Sequence, residues 1–335
     1  MARMIRWRRG LLVALLTMLV CAPSAPAARG QSSALDTVNI AMGYIPNIQF
    51  APFYVADARG YYKAANIKVS FNYEQSPDII TLIATGNLAF GNVEGDQVVV
   101  GRSKGLPVTS VLTQYERFPV AIFALQSKHI RSFADLKGKT IGIPGLYGSS
   151  YSGLLAALKA AGLSSRDVHI EAINYAQVAE VARGQVDAAV GFAMNEPVQL
   201  QQQGYKVTVL PLATLVNLAG AGVVTSDSMV HGHADLVRRF VQATYRGLKE
   251  TNADPGTAFT LSRPYIRDLT GAQVAYQQAV LRAAIPYWSP LPGHGLACGI
   301  AATWATTQSV LLGQGQIHVQ SQASTFYTNR FLPGC

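Results

Sequence analysis

Cysteine and charged side chains are both scarce in this sequence. Only 13% of the 335 residues are charged, and three are cysteine. The chain has no Cys-x-x-Cys pair and no clustered histidines and cysteines, so we predict no metal site. It also lacks HExxH, a P-loop and the Gly-x-Gly-x-x-Gly fingerprint of dinucleotide-binding proteins. These absences predict a protein without a cofactor and without enzymatic activity.

Runs of basic residues are missing as well. No run is longer than Arg238-Arg239, and basic residues do not alternate with aromatic ones as they do in nucleic-acid-binding segments. Four of the 27 basic residues lie before position 28, so the net charge falls from +9 for the whole chain to about +5 without them. We therefore expect no nucleic-acid partner.

The first 28 residues have the pattern of a secretory signal peptide. The basic segment MARMIRWRRG precedes the ten-residue apolar run LLVALLTMLV, and small residues follow at Ala25 and Ala27. We therefore expect export, to the periplasm or the outer face of the cytoplasmic membrane. Cys21 lies where a lipoprotein cysteine would lie, but the residues before it fit that cleavage pattern poorly. Both its removal with the leader and its lipidation stay open.

Two cysteines and one long apolar stretch stand out beyond the leader. The stretch Val207–Val224 is interrupted by Pro211 and by polar residues, so we predict no membrane-spanning helix there. Cys298 and Cys335 would meet an oxidising compartment after export. This predicts a disulfide that closes the C-terminal segment on itself, with two free thiols as the alternative.

Strand and helix patterns alternate along most of the chain. Apolar stretches such as VNIAMGYI and IKVSFNYE are typical of strands, and a segment with helical periodicity follows each of them. The alternation restarts after about residue 132, which favours a second lobe. We predict an α/β fold with two lobes, each a largely parallel sheet flanked by helices, and a ligand cleft between them. The predicted boundaries are 1–28 for the signal peptide, 36–125 and 226–335 for the first lobe, and 126–225 for the second lobe.

Four motifs in order resemble a known family. They are VNIAMGYIPNIQFAPFYVADARGYY, LIATGNLAFGNVEGDQ, SFADLKGKTIGIPGLYGSS and ARGQVDAAV. Over roughly residues 36 to 240 the chain is similar to exported solute-binding proteins of nitrate, sulfonate and taurine ABC importers, most of all to their pyrimidine-synthase-like branch.

The resemblance implies a binding protein whose two lobes close on a small-molecule ligand and dock on the transmembrane subunits of a permease. We expect a monomer that meets the membrane only through this permease or through a lipid anchor. The resemblance also extends to an enzyme, the eukaryotic pyrimidine synthase, which uses pyridoxal phosphate and an iron-associated cysteine-rich motif. That motif is absent from this sequence.

Loops that follow predicted strands carry amides, carboxylates and aromatic rings. The carboxyl ends of strands in open α/β sheets border the ligand crevice, so these side chains are candidates for ligand binding. The candidates are Asn47, Gln49, Glu94, Gln114, Tyr115, Tyr147, Ser149, Ser150, Tyr151, Asn174, Tyr175, Asn195 and Glu196.

The candidate set favours a flat, uncharged heteroaromatic ligand. An oxyanion such as a sulfonate or nitrate needs charged donors once it leaves water, and only Arg117 lies near the candidates in sequence. The resemblance narrows the ligand to a thiamine pyrimidine, such as formylaminopyrimidine or hydroxymethylpyrimidine, or to riboflavin. A sulfonate, taurine or nitrate ligand is the alternative within the same fold, and a pyrimidine-synthase-like enzyme is the alternative of another class.

Several of these side chains also have a purely structural interpretation. Asn47 and Gln49 precede a predicted helix, where either can cap the first turn. Aromatic residues in the same segment recur at nearly helical spacing, which predicts that most of them are core residues of the first sheet. These aromatic residues are Phe50, Phe53, Tyr54, Tyr61 and Tyr62.

Overall fold

Two five-stranded sheets organise the part of the chain that the structure describes. The computed structural model describes Met1 and residues 34–73, 78–267 and 269–335. Residues Leu35–Cys335 form one compact unit. The predicted signal peptide, apart from Met1, and Cys21 lie outside the described residues.

Strands and helices alternate as the sequence predicts. The strands are β1 (Asp36–Ala41), β2 (Ile67–Asn72), β3 (Phe90–Val93), β4 (Val108–Thr113), β5 (Val120–Leu125), β6 (Thr140–Ile143), β7 (His169–Ala172), β8 (Ala188–Phe192), β9 (Val207–Pro211) and β10 (Gly222–Ser226). The helices are α1 (Ala51–Ala58), α2 (Tyr61–Ala64), α3 (Ile79–Ala84), α4 (Gly95–Ser103), α5 (Gly148–Ala160), α6 (Gln177–Arg183), α7 (Glu196–Gln202), α8 (Asp227–Gly232), α9 (Ala234–Ala253), α10 (Pro255–Ser262), α11 (Gly271–Trp288) and α12 (Ala301–Gly313). Within the described ranges, none of these helices has the length and apolar character needed to cross a lipid bilayer.

Each sheet is largely parallel and has one reversed strand. The first sheet has the order β2-β1-β3-β10-β4, in which β10 is antiparallel to both of its neighbours. The second has the order β7-β6-β8-β5-β9, in which β5 is the reversed strand. The reversed strands are the first ones formed after the chain crosses from one sheet to the other.

The crossing strands correct the predicted lobe boundaries. We placed residues 120–125 in the first lobe and residues 222–225 in the second, but β5 pairs in the second sheet and β10 in the first. Both segments are short and mostly apolar, and nearly all of their residues are buried. A buried run of this kind carries no periodic signal for the sheet it joins. Sequence pattern therefore does not tell which side of a crossing they join.

The two crossing segments are held side by side by one amide side chain and by close packing. Asn217 accepts a hydrogen bond from the Phe118 N–H at 2.7 Å and donates to the Glu116 carbonyl at 3.0 Å. At Gly220, a Cβ would collide with the Tyr115 backbone. The glycine in the sequence LAGAG therefore allows the returning chain to lie directly against the outgoing one.

Apolar cores cover both faces of each sheet. In β5, Ile122 belongs to one cluster and Phe123 to the cluster on the opposite face, as strand alternation requires. In the first sheet, the aromatic segment that begins after β1 buries Phe53, Tyr54 and Tyr62 completely. The prediction that most of its aromatic residues are core residues is confirmed.

A disulfide between Cys298 and Cys335 ties down the C-terminal segment, as predicted, with the two Cα atoms 5.8 Å apart. Within the loop, the Asn329 side chain bonds both the N–H and the carbonyl of Gly299, at 2.7 and 2.9 Å. The returning tail also pairs with Ser110 on β4, an edge strand of the first sheet. The disulfide thus closes a segment that covers an otherwise open sheet edge.

Replacing both cysteines with serine is expected to destabilise the protein. The two residues are 37 positions apart, and closing a loop of this length removes about 3 to 4 kcal/mol of conformational entropy from the unfolded chain in the loop-entropy model. Urea unfolding of Cys298→Ser/Cys335→Ser is compared with that of the oxidised parent and of the parent in reductant. Equal midpoints for all three would contradict the expected stabilisation.

Glu116, on the outgoing crossing segment, has a buried carboxylate. Glu116 is 3% exposed, and neither carboxylate oxygen makes a hydrogen bond of good geometry with the described residues, although the backbone N–H groups of Ala297 and Cys298 are near enough to oppose the effect of burial on its pKa. It lies beside Gly220 and Cys298. Burial raises the pKa of Glu116 from 4.5 to about 8.

This raised pKa makes a pH-dependent contribution to stability. Between about pH 4.5 and pH 8 the folded protein keeps a proton on Glu116 that the unfolded chain releases, so stability falls as pH rises through this window. Glu116→Gln removes the titration, and its melting temperature should gain on the parent by more at pH 8 than at pH 5. Each kcal/mol relieved corresponds to about 2 to 4 °C. Glu171→Gln, the same change on exposed strand β7, is the control, and a gain independent of pH would contradict the prediction.

Candidate functional site

A cavity of about 450 Å³ lies between the two sheets. Its walls come from segments that follow β1, β3 and β4 of the first sheet and β6, β7 and β8 of the second, so it occupies the crevice at the carboxyl ends of the strands. Nine of the predicted ligand-binding residues line it. They are Gln49, Glu94, Tyr115, Tyr147, Ser149, Ser150, Tyr175, Asn195 and Glu196.

Four other predicted residues do not line the cavity. Asn47 is buried and caps the short 3₁₀ turn Ile48–Phe50, where its side chain accepts the Gln49 N–H at 3.0 Å. Gln114 is buried and donates to the Gln49 carbonyl at 2.8 Å. Tyr151 packs against the core of the second sheet, and Asn174 is exposed in a left-handed turn before Tyr175. The prediction that these four contact a ligand has no support from this arrangement.

The cavity also contains side chains that the sequence did not single out. Tyr44 belongs to the stretch VNIAMGYI, whose pattern is typical of a strand, but β1 ends at Ala41 and Tyr44 lies in the loop that follows. Asn92, Gln97, Gln177 and Phe192 come from β3, α4, α6 and β8. Of these residues, Phe192 is the last residue of β8, so it could have been predicted from its position at a strand end, as the other candidates were.

Two carboxyl groups that follow β3 of the first sheet meet a hydroxyl that follows β6 of the second. The Ser149 Oγ at the start of α5 lies 3.0 Å from Glu94 Oε2 and 2.7 Å from Asp96 Oδ1. Ser152, one helical turn later, donates to Asp96 Oδ2 at 3.0 Å. Burial, followed by the charge of Asp96, raises the pKa of Glu94 to about 8. Glu94 therefore keeps its proton more readily than an exposed glutamate.

Glu196 on the opposite wall is held by a different set of donors. The Phe192 N–H donates to its Oε2 at 2.9 Å, and the Asn195 side chain donates to its Oε1 at 3.1 Å. Asn195 in turn accepts the Tyr276 hydroxyl at 2.6 Å. Burial raises the pKa of Glu196 as well. Gly191 allows this packing, because a Cβ there would lie 2.5 Å from Glu196 Oε2.

Aromatic rings form much of the remaining wall. Tyr115 is buried edge-on against Phe192 and Trp288, with ring centroids 5.9 Å apart in each pair, and its hydroxyl donates to Gln49 Oε1 at 3.2 Å. Tyr44 and Tyr175 lie 6.1 Å apart and are tilted by 49°. Tyr175 remains 50% exposed, so the cavity is dry at the Tyr115 end and open to water at the Tyr175 end.

Among the described residues, no lysine, arginine or histidine lines this cavity. Arg117 is directed elsewhere and donates to the carbonyls of Pro286 and Ser289, at 2.6 and 3.0 Å, where α11 ends. Groups of three or more His, Cys, Asp or Glu that could hold a metal ion do not occur in the described ranges either. The site offers carboxyl, amide and hydroxyl groups together with aromatic faces.

The family and the relatives of this chain agree with the architecture. Residues 47–258 match the model of the NMT1/THI5-like family. The chain is 41% identical over 323 residues to the riboflavin-binding protein RibY of Chloroflexus aurantiacus, which covers 95% of this chain and 92% of the relative. It is 26% identical over 310 residues to the 4-amino-5-hydroxymethyl-2-methylpyrimidine phosphate synthase of Legionella pneumophila, over 90% and 94% of the two chains.

A solved structure shows the same fold. The periplasmic aliphatic sulphonate binding protein SsuA of Escherichia coli superimposes with a TM-score of 0.68 at 15% identity, over 87% of this chain and 91% of that one. The α/β fold with two helix-flanked sheets and the predicted family resemblance are confirmed. The chain belongs to the NMT1/THI5-like family.

Proposed function

We propose that this protein is the extracytoplasmic solute-binding protein of an ABC importer, that it is not an enzyme, and that its ligand is a flat, uncharged heteroaromatic vitamin or vitamin precursor. The observation that carries the proposal is the lining of the cavity, which combines aromatic faces with two carboxyl groups and has no basic side chain in the described chain. A sulfonate or nitrate would lie against Glu94 and Glu196 without a compensating cation.

Riboflavin fits this cavity best among the ligands considered. A volume of about 450 Å³ lies within the range of about 300 to 1,000 Å³ that is typical of pockets for drug-sized ligands, whereas a single pyrimidine ring would leave much of it unfilled. Exposure to water increases from the buried Tyr115 to the half-exposed Tyr175. This suits a ring system that carries a hydroxylated chain at its water-exposed end. The 41% identity to a riboflavin-binding relative supports the same choice.

We propose that the chain is exported and acts as a monomer that delivers its ligand to a permease. The N-terminal leader would send the chain to the periplasm or the outer face of the cytoplasmic membrane, where the monomer passes its ligand to the transmembrane subunits of a permease. Membrane contact would come from that permease or from lipidated Cys21. The pyrimidine phosphate synthase relative keeps one alternative open, in which the chain is an enzyme of vitamin synthesis.

A thermal-shift panel tests the ligand class. Riboflavin, formylaminopyrimidine, hydroxymethylpyrimidine, thiamine, taurine and nitrate are each added to the mature protein. A ligand that binds only the folded state stabilises it by about 2.7 kcal/mol at a hundredfold excess over its Kd. We expect riboflavin to give the largest rise in melting temperature. A rise with taurine or nitrate alone would overturn the proposal, as would formation of a pyrimidine phosphate in the presence of pyridoxal phosphate and iron.

Removing the ring of Tyr175 tests whether this side chain, at the water-exposed end of the cavity, stacks on the ligand. A ring-on-ring contact contributes about 0.5 to 1.5 kcal/mol beyond burial, so Tyr175→Ala should weaken riboflavin binding by about two- to tenfold, while Tyr175→Phe should keep most of the affinity. Fluorescence quenching titrations measure both. Tyr205→Ala, at another exposed tyrosine that does not line the cavity, is the control. Equal affinities for the alanine variants at 175 and 205 would remove Tyr175 from the site.

A further inference from the structure

Ser149 makes two contacts that its single hydrogen cannot serve at once. Its Oγ is within hydrogen-bond distance of Glu94 Oε2 and of Asp96 Oδ1, at 3.0 and 2.7 Å. A serine hydroxyl donates one hydrogen and otherwise only accepts, and an ionised carboxylate only accepts. With both acids ionised, one of the contacts would join two acceptor oxygens. One of the two carboxyl groups therefore carries its own hydrogen.

Asp96 is the better acceptor of the two. It receives the Gln97 N–H at 3.0 Å and the Ser152 hydroxyl at 3.0 Å in addition to Ser149. The Ser152 hydroxyl donates its hydrogen to Asp96, and its Oγ accepts from the Gln316 side chain at 3.2 Å. Burial raises the pKa of Asp96 as well, but these donors oppose that effect. The dipole of α4 acts on both acids, since Glu94 is its N-cap residue and Asp96 lies in its first turn, and Asp96 also faces the first turn of α5.

Glu94 has much less support for a charge. Its only hydrogen bond with the described residues is the contact with Ser149, and it has the charge of Asp96 as its neighbour. The hydrogen that completes the set therefore belongs on Glu94 Oε2. Glu94 then donates to Ser149, and Ser149 donates to Asp96.

We propose that Asp96 is a positioning residue which, through Ser149, keeps Glu94 in its neutral form, and that this proton is required for tight ligand binding. The chain Glu94–Ser149–Asp96 joins the first sheet to the second beside the cavity, and Glu94 lines the cavity itself. Loss of the proton leaves the hydrogen of Ser149 with Asp96 and turns the contact between Glu94 and Ser149 into one between two acceptor oxygens, so this one of the hydrogen bonds between the two sheets is lost. The proposal rests on the proposed function, because it concerns the binding of that ligand.

The tyrosines around Glu94 do not titrate in the pH range in which Glu94 does. The titratable side chains that face it are Asp96 from α4, Tyr115 from the segment after β4 and Tyr175 from the segment after β7. Burial raises the pKa of Tyr115 and raises that of Tyr175 to about 12, so both tyrosines stay neutral through the relevant range. With a pKa of about 8 for Glu94, ionisation falls between pH 7 and pH 9.

The first test is the pH profile of riboflavin binding between pH 6 and pH 9.5. If only the neutral form binds tightly, the Kd of the parent should rise about tenfold between pH 7 and pH 9. Glu94→Gln keeps a donor toward Ser149 but cannot ionise, so its Kd, whatever its value at pH 7, should show no such rise. The same variant controls for ionisation of riboflavin itself. A tenfold rise that persists in Glu94→Gln, or a Kd of the parent that stays constant from pH 7 to pH 9, would overturn the proposal.

The second test separates a positioning role of Asp96 from a purely structural one. Asp96→Asn removes the charge that holds the proton on Glu94, so the rise in Kd should begin at lower pH than in the parent. In the double variant Glu94→Gln/Asp96→Asn this shift should vanish, because Glu94 no longer titrates. A merely structural effect would weaken binding equally at every pH in both variants and would contradict the proposal.

A third measurement does not depend on the proposed ligand. Carbon-13 labelling of glutamate side-chain carboxyls allows titration by NMR, and the resonance lost in Glu94→Gln identifies Glu94. We expect its midpoint near pH 8. A midpoint below pH 6, both without and with riboflavin, would overturn the proton assignment. A midpoint near 8 in a protein that binds neither riboflavin nor the pyrimidines would leave the assignment standing and reject the proposed function.

Discussion

The double passage of the chain between its two sheets is the constraint on which the site depends. The outgoing and returning segments lie side by side, pinned by Asn217 and brought into contact at Gly220, and each delivers one reversed strand into the sheet it enters. The remaining four strands of each sheet share one direction. Their carboxyl ends open on a common crevice, and the side chains that follow them become the walls of the cavity.

Within this crevice, the dominant physical problem is the burial of acids without cations. Two carboxyl groups line the cavity and Asp96 lies behind one of them, while no basic side chain of the described residues joins the lining. Glu196 is supported by donated N–H groups, and Asp96 by a backbone N–H, two hydroxyls and two helix starts. Glu94 has the least support, so holding a proton costs less there than holding a charge. An uncharged ligand brings no additional charge that this site would have to bury.

Much of the architecture could be predicted from the sequence because it follows from local chemistry. Strand and helix alternation, the buried aromatic segment and the disulfide each depend on residue patterns or on cysteine pairing. The candidate site was predicted to the extent that a residue following a strand faces the crevice, which holds for Glu94 and Tyr175. Other candidates, such as Asn47, bond within their own segment and do not line the cavity. The contact of Asp96 with Ser149 joins residues 53 positions apart, and no local pattern encodes it.

The fold alone does not determine what this protein binds. A sulphonate-binding protein shares the fold at a TM-score of 0.68, yet a sulfonate requires charged or multiple hydrogen-bond donors, and the lining here is rich in acceptors. Within one fold, side chains at the strand ends can change the ligand without disturbing the sheets beneath them. Arg117 is an example. It is near the cavity-lining residues in sequence, but its guanidinium donates to the carbonyls of Pro286 and Ser289. This cation therefore lies at the end of a helix, and the described lining of the cavity has no positive charge with which to hold an anion.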